Sequence, residues 1–171
     1  MRCGMPGSVG AGGMVLSSDI KMPGDLRALF PKLNAQNHRI TSPETPRYNC
    51  VAWAASDSGR WWDHFYGYWP DGLARDPSIE AYVELFRRLG FELCNTSETE
   101  PGFEKVALFG KAGEFTHVAR ALESGGWTSK LGRLEDIEHD SLDSLADDSD
   151  DSYGQPLVFL RRAQANRPPS A

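Results

Sequence analysis

Cys50 is the residue of this sequence best placed to act as a nucleophile. It follows Asn49, whose side-chain oxygen predicts an N-cap for a helix that begins at Cys50. The dipole of such a helix favours an anion at its start, and therefore a thiolate. The residues that follow are apolar on every side, which predicts a buried helix ending near residues 57–59. The alternative is that Cys50 is a small apolar core residue, the usual role of a free cysteine.

His117 is the residue that we expect to act as a base for this thiol. A thiol is mostly protonated at neutral pH, so nucleophilic catalysis needs a base close to the sulfur. Among the four histidines, His117 lies in a predicted strand, on the face expected to carry Phe115, Ala119 and Ala121. A strand holds an imidazole more rigidly than a loop does. The alternative is a core histidine that is hydrogen-bonded to a backbone carbonyl.

The residue that orients the His117 ring is expected on the next strand. A two-residue turn would place Thr128 on the face of His117, whereas a three-residue turn at residues 124–126 would place Ser129 there. We favour Ser129, because the lysine that would share a face with Thr128 cannot accept a hydrogen bond from an imidazole N–H. Asp136 is a further candidate if the chain folds back.

Residues 61–72 form an aromatic stretch that has neither a helical nor a strand period, which predicts a loop. Its residues Trp61, Trp62 and Trp69, together with Asn49, are candidate substrate-binding residues, because aromatic side chains supply contact area at low entropic cost. The alternative, which we favour, is that the loop packs onto the core.

The remaining patterns predict one α+β domain, in which a buried helix that carries the cysteine packs on an antiparallel sheet of about five strands. A helix is predicted to open at Asp76-Pro77-Ser78 and to stop at Gly90. The predicted domain spans residues 25–162, between a flexible leader (1–24) and a flexible tail (163–171). The other predicted elements are helical segments at 25–33 and 134–145 and strands at 91–94, 105–109, 115–121, 127–132 and 157–160.

Composition limits the partners and the compartment. The net charge of −6 disfavours a nucleic-acid-binding protein, and no apolar run reaches the length of a membrane span. The start of the sequence lacks the apolar core of a signal peptide, so we expect a cytoplasmic protein. The three cysteines, at positions 3, 50 and 94, contain no CxxC pair, which disfavours a disulfide framework or a zinc site. No cofactor is predicted, and a metal site of Cys50, His117 and His139 is a minor alternative.

Six segments are distinctive as a set: YNCVAWA (48–54), GYWP (67–70), FEKVA (103–107), THVAR (116–120), WTSKLG (127–132) and DIEH (136–139). Together they resemble a bacterial domain family to which no activity is assigned. More distantly, a cysteine on a helix followed by a histidine on a strand resembles the papain-like superfamily, in particular NlpC-type and CHAP-type cell-wall amidohydrolases. The resemblance implies a papain-like fold with Cys50 as nucleophile and His117 as base. The third residue of those enzymes is typically His, Asn, Asp or Glu, and this sequence has Thr-Ser-Lys on the equivalent strand.

Two functional hypotheses follow. The first is a cysteine hydrolase, a peptidase or amidase, that acts on a peptide or another amide-containing substrate, with the Cys50 amide helping to hold the oxyanion. The second is a catalytically inactive papain-like module that binds a protein partner or serves as a toxin–antidote component. A sulfur and an imidazole too far apart to hydrogen-bond would favour the second.

Overall fold

A computed structural model describes residues 23–166 of the chain. The predicted leader, except for its last two residues, and the predicted tail from residue 167 onward lie outside the described residues. The described part of the tail contains the last residue of a strand, Ala163, followed by a short 3-10 turn, Gln164–Asn166.

Three helices and seven strands make up the described chain. The α-helices are α1 (Pro23–Leu29), α2 (Cys50–Ala54) and α3 (Ile79–Arg88). The strands are β1 (His38–Ser42), β2 (Glu92–Cys94), β3 (Phe103–Lys111), β4 (Glu114–Ala121), β5 (Trp127–Lys130), β6 (Asp136–His139) and β7 (Gln155–Ala163).

All seven strands form one antiparallel sheet in the order β1-β6-β5-β4-β3-β7-β2. The prediction of an α+β domain is therefore confirmed, but the sheet has more strands than the five or so expected. The predicted helix at 134–145 is wrong: its first part is β6, and only Leu142–Ser144 forms a single 3-10 turn. Ile137 is fully buried between β1 and β5, so strand pairing on both sides outweighs the helical spacing of its apolar neighbours.

Helix α3 matches its prediction closely. The Ser78 hydroxyl caps the first turn by accepting a hydrogen bond from the Ala81 amide at 3.3 Å. The helix ends with Leu89 as C-cap, and Gly90 follows at a φ of 90°, a conformation in which glycine meets no Cβ penalty.

The sheet separates two apolar cores. The first core, which includes residues of α2 and α3 such as Val51 and Phe86, takes Leu108 and Val118 from β3 and β4. The second core, which includes α1, takes Phe109 from β3, Ala119 from β4 and Ile137 from β6. Successive strand residues point to opposite faces, so Val118 and its neighbours in β4 are divided between the two cores.

A β-bulge at Thr116 inverts the faces of β4. His117 pairs with Phe109, whereas Phe115 pairs with Gly110, which leaves Thr116 as the extra residue. Phe115 consequently packs on the first core and stacks on Tyr82 with ring centroids 3.7 Å apart. The prediction that Phe115 shares the face of His117 is wrong, because the bulge shifts the alternation by one residue.

None of the helices within residues 23–166 is long and apolar enough to cross a membrane.

Candidate functional site

The predicted cap at the start of α2 is confirmed. The Asn49 side-chain oxygen accepts a hydrogen bond from the Ala52 amide at 3.1 Å, and Asn49 itself is extended. Cys50 is therefore the first residue of the helix, as expected. The helix is shorter than predicted, since it ends at Ala54.

The Cys50 thiol is enclosed in the first core and is only 8% exposed. Burial raises the pKa of this thiol to about 11, although the backbone amides of Val118, Val51 and Cys50 and the charge of Lys130 act in the opposite direction. Burial disfavours the charged form more than these dipoles favour it, so the thiol is protonated at neutral pH.

Lys130 is a buried cation on the same side of the sheet as Cys50. Its ammonium donates hydrogen bonds to the carbonyls of Gly132, at 2.9 Å, and Leu134, and it lies 5.3 Å from the centre of the Tyr48 ring. Burial lowers the pKa of Lys130, and the carboxylates of Asp136 and Glu135 oppose that shift. The sequence indicates Lys130 only as a residue unable to orient an imidazole, and its place beside Cys50 follows from the alternation of β5.

The His117 ring forms the start of a buried hydrogen-bonded chain across three strands. His117 Nε2 lies 3.0 Å from the Ser129 hydroxyl, which lies 2.9 Å from His139 Nε2. His139 Nδ1 lies 2.8 Å from the Ser141 carbonyl oxygen. The ring of His117 also stacks on Tyr153, with centroids 4.2 Å apart.

The Ser141 carbonyl sets the direction of every hydrogen bond in this chain. A carbonyl only accepts, so neutral His139 carries its proton on Nδ1 and has a bare Nε2. Ser129 then donates its one hydrogen to His139 and accepts from His117 Nε2. His117 is therefore the Nε2–H tautomer, and its Nδ1 is a bare lone pair that has no hydrogen-bond partner within residues 23–166.

Both histidines are neutral in this arrangement. Burial lowers the pKa of His117 well below its usual value, and the neighbouring His139 lowers it further. Burial likewise lowers the pKa of His139 to about 4, which the Ser141 carbonyl partly offsets.

The structure does not bring Cys50 and His117 into a hydrogen-bonded pair. The sulfur faces the amide of Val118 in the first core, whereas the His117 ring lies with Phe109 and Tyr153 on the side of the second core. His117 and Val118 are consecutive in β4 and point to opposite faces, so the strand itself separates the two groups.

Of the three candidates for the orienting residue, Ser129 is the one that contacts the His117 ring. Ala121 pairs with Trp127, so these two residues share a face of the sheet. Side chains alternate along each strand, so His117 and Ser129 lie on that same face. Thr128 points the other way, and its hydroxyl accepts a hydrogen bond from the Trp53 ring N–H at 3.2 Å.

Asp136, the third candidate, lies apart from the His117 ring. One of its carboxylate oxygens accepts hydrogen bonds from the hydroxyls of Tyr48 and Ser42, each at 2.5 Å.

The candidate substrate-binding residues serve the packing of the domain. The Asn49 amide group donates to the Trp62 carbonyl at 2.6 Å and its oxygen accepts from the Trp62 amide at 3.3 Å, so both ends of this side chain are engaged. Trp62 and Trp69 are buried, with ring N–H groups that donate to Asp57 at 2.8 Å and to the Ala74 carbonyl at 3.1 Å. Trp61 is half-buried under the guanidinium of Arg133. The loop therefore packs onto the core, as the favoured interpretation predicted.

A family model described as a domain of unknown function, DUF7689, matches residues 39–161. The chain belongs to the DUF7689 family. No curated protein and no solved structure matches this DUF7689 chain. The match runs from β1 into β7 and so includes the thiol of Cys50 and the whole His117–Ser129–His139 chain.

The most exposed aromatic side chains of the DUF7689 domain are Phe65 and Tyr66, at 77% and 79% exposure. The Asp63 carboxylate holds their backbone by accepting hydrogen bonds from both amides, at 2.8 and 3.2 Å. Arg75 donates to the His64 carbonyl at 3.2 Å. The two rings, which pack edge to face, are thus presented to solvent on a well-held loop.

Among the described residues of the DUF7689 domain, no three His, Cys, Asp or Glu side chains converge in a way that could hold a metal ion. Cys50 and the histidine chain lie on opposite sides of β4, so the set considered from the sequence does not assemble.

Proposed function

We propose that this DUF7689 domain is a catalytically inactive, papain-like module that binds a protein partner. The observation that carries the proposal is the separation of Cys50 from His117 by the β4 strand. A thiol hydrolase needs the base within hydrogen-bonding reach of the sulfur or of a single intervening water. The charged side chain that acts on the sulfur is instead Lys130, which donates hydrogen bonds and takes no proton while it is an ammonium.

The electrostatics support the same conclusion. The pKa of Cys50 is raised to about 11, whereas active thiolates have a lowered pKa. The pKa of His117 is lowered, so neither partner of a thiolate–imidazolium pair is favoured. Both groups have the properties of uncharged core residues.

The binding role is supported by the aromatic loop. Phe65 and Tyr66 expose apolar rings that the core does not use, on a backbone already ordered by Asp63 and Arg75. Aromatic side chains and arginine are enriched at protein interfaces, and a preordered loop loses little entropy on binding. A protein partner, a peptide or amide-containing substrate and a cytoplasmic location remain predictions from the sequence.

A cysteine hydrolase is the second candidate, and one observation favours it. His117 Nδ1 is a bare, buried lone pair, held in the tautomer that a general base requires. For this lone pair to act on Cys50, the sulfur and the ring would have to meet on one side of β4.

Acylation by p-nitrophenyl acetate distinguishes the two candidates. In the full chain carrying Cys3→Ser and Cys94→Ser, we expect Cys50 to acquire acetyl no faster than it does after His117→Gln. Intact-mass spectrometry would follow the modification, with Cys50→Ala as the control for other sites. Rapid acetylation of Cys50 that is reversed by hydroxylamine and lost on His117→Gln would overturn the inactive-module proposal and establish the hydrolase.

A further inference from the structure

Strands β4 and β5 pair over a very short distance. Among the described strands, their ladder consists of Arg120 with Thr128 and Ala121 with Trp127. Beyond it, Val118 and Ala119 pair with β3, and Ser129 pairs with β6. The sheet therefore divides at this point, where backbone hydrogen bonds no longer join its two halves.

The start of α2 lies against this division. Helix α2 packs against both β4 and β5, and the thiol of Cys50 is influenced by the amide of Val118 in β4 and by the charge of Lys130 in β5. We therefore expect a wider division to expose the thiol.

The side chains of His117, Ser129 and His139 bridge the division where the ladder is missing. His117 belongs to β4, Ser129 to β5 and His139 to β6, and the two contacts between them are 3.0 and 2.9 Å. We propose that the His117–Ser129–His139 chain is a proton-sensitive latch that holds β4 and β5 together over the thiol of Cys50.

The sensitivity to protons follows from the number of hydrogens in the chain. The chain consists of His117, Ser129, His139 and the Ser141 carbonyl. Each donor meets an acceptor when both histidines are neutral, as the Ser141 carbonyl requires. An added proton on His117 occupies Nδ1, which has no acceptor within residues 23–166. An added proton on His139 turns its Nε2 into a donor, which then faces the hydrogen that Ser129 donates. Ser129 must instead accept from His139 and donate to His117 Nε2. The proton of His117 then moves to Nδ1, which again has no acceptor within residues 23–166. Either result buries an uncompensated charge.

The surroundings do not neutralise that charge. His38 faces His139 from β1 and opposes its protonation. Asp140, the next residue, favours that protonation, but it is exposed to solvent, where its charge is screened. Strand β5 presents Trp127 opposite His139, and Tyr153, whose pKa burial raises, stacks on His117.

Solvent protons have a route to the outer end of the chain. A cavity of about 550 Å³ is lined by His139 together with His38 and Gly126.

The latch predicts that Cys50 becomes more accessible in mild acid, the reverse of the usual behaviour of a thiol. If His139 alone takes up the proton, with a pKa of 6.5 when open and about 4 when closed, the opening constant rises roughly 70-fold from pH 8 to pH 4.5. The probe is 2,2′-dipyridyl disulfide, which reacts with thiols in acid, applied to the full chain carrying Cys3→Ser. The readout is the rate at Cys50 relative to Cys94, measured while tryptophan fluorescence reports a folded protein.

Two variants separate the latch from general loosening. His139→Gln keeps an acceptor for Ser129 but does not titrate, so the rise in acid should shrink to a few-fold. Ser129→Ala cuts the chain, so Cys50 should already react faster at pH 8. The latch is refuted if the Cys50 to Cys94 ratio stays constant with pH, if it rises only when fluorescence reports unfolding, or if His139→Gln leaves the rise intact. None of these readouts depends on partner binding or hydrolysis, so the latch and the proposed function succeed or fail separately.

Discussion

The ionisation of Cys50 is the property that most directly separates a core thiol from a nucleophile. With the pKa raised from 9.0 to about 11, the thiolate fraction at neutral pH falls from about 1 in 100 to about 1 in 10,000, a 100-fold loss of the reactive form. We therefore expect alkylation of Cys50 by iodoacetamide to be slow at pH 7. Its rate should rise tenfold with each pH unit from 7 to 10, with no plateau.

The decisive perturbation is His117→Gln, because an active pair and a separated pair respond to it differently. In a thiolate–imidazolium pair, the alkylation rate reaches a plateau well below pH 8, and loss of the imidazole removes that plateau. His117 lies across β4 from the sulfur, so the substitution should leave the pH profile of Cys50 unchanged within threefold. Liquid chromatography with mass spectrometry of the labelled peptides measures Cys50 separately from Cys94. An inflection below about pH 9 that disappears in His117→Gln would refute the reasoning.

The other predictions concern stability and are measured by urea denaturation. Asn49→Ala should lower the free energy of unfolding by about 1–3 kcal/mol, because it removes the α2 cap and leaves the Trp62 carbonyl without the donor of Asn49. Ser129→Ala should cost about 1–3 kcal/mol, because it leaves ring nitrogens of two buried histidines without their partner. The pKa of His139 is lower in the folded state, so its contribution is present above pH 6.5 and is lost as the pH falls toward 4. This protonation should lower the free energy of unfolding by roughly 3 kcal/mol, and this pH-dependent loss should be absent in His139→Gln. A wild-type stability that is the same at pH 7 and pH 4.5 would contradict this.

The elements that the sequence predicted well are those determined by local interactions. The Asn49 cap and the whole of α3 depend on residues within a few positions of one another, and both formed as expected. The contact between Ser129 and His117 was predictable for a related reason: the number of residues in the turn after Ala121 determines which face of β5 meets His117.

The features that the sequence did not predict depend on distant pairing. The Thr116 bulge arises where β4 fits against β3, and no local pattern marks it, yet it decides which core Phe115 enters. Strands β1 and β6 pair over a sequence separation of about a hundred residues, as the ladder between Arg39 and Glu138 shows. The apolar residues of the 134–145 segment fit a helical period equally well, so only that pairing decides its structure.

The alternation of β5 explains why the domain has the residues of a thiol enzyme without their arrangement. Ser129 points to the second core and joins the histidine chain, so its neighbour Lys130 must point to the first core, towards Cys50. An ammonium beside the sulfur can stabilise a thiolate, but it cannot accept the proton that must leave. The lone pair that could accept it, on His117 Nδ1, is on the far side of β4. Activation of the thiol would then depend on loss of its proton to solvent, which the enclosure of Cys50 opposes. The fold therefore contains both a thiol and a lone pair that could accept its proton, but strand β4 lies between them.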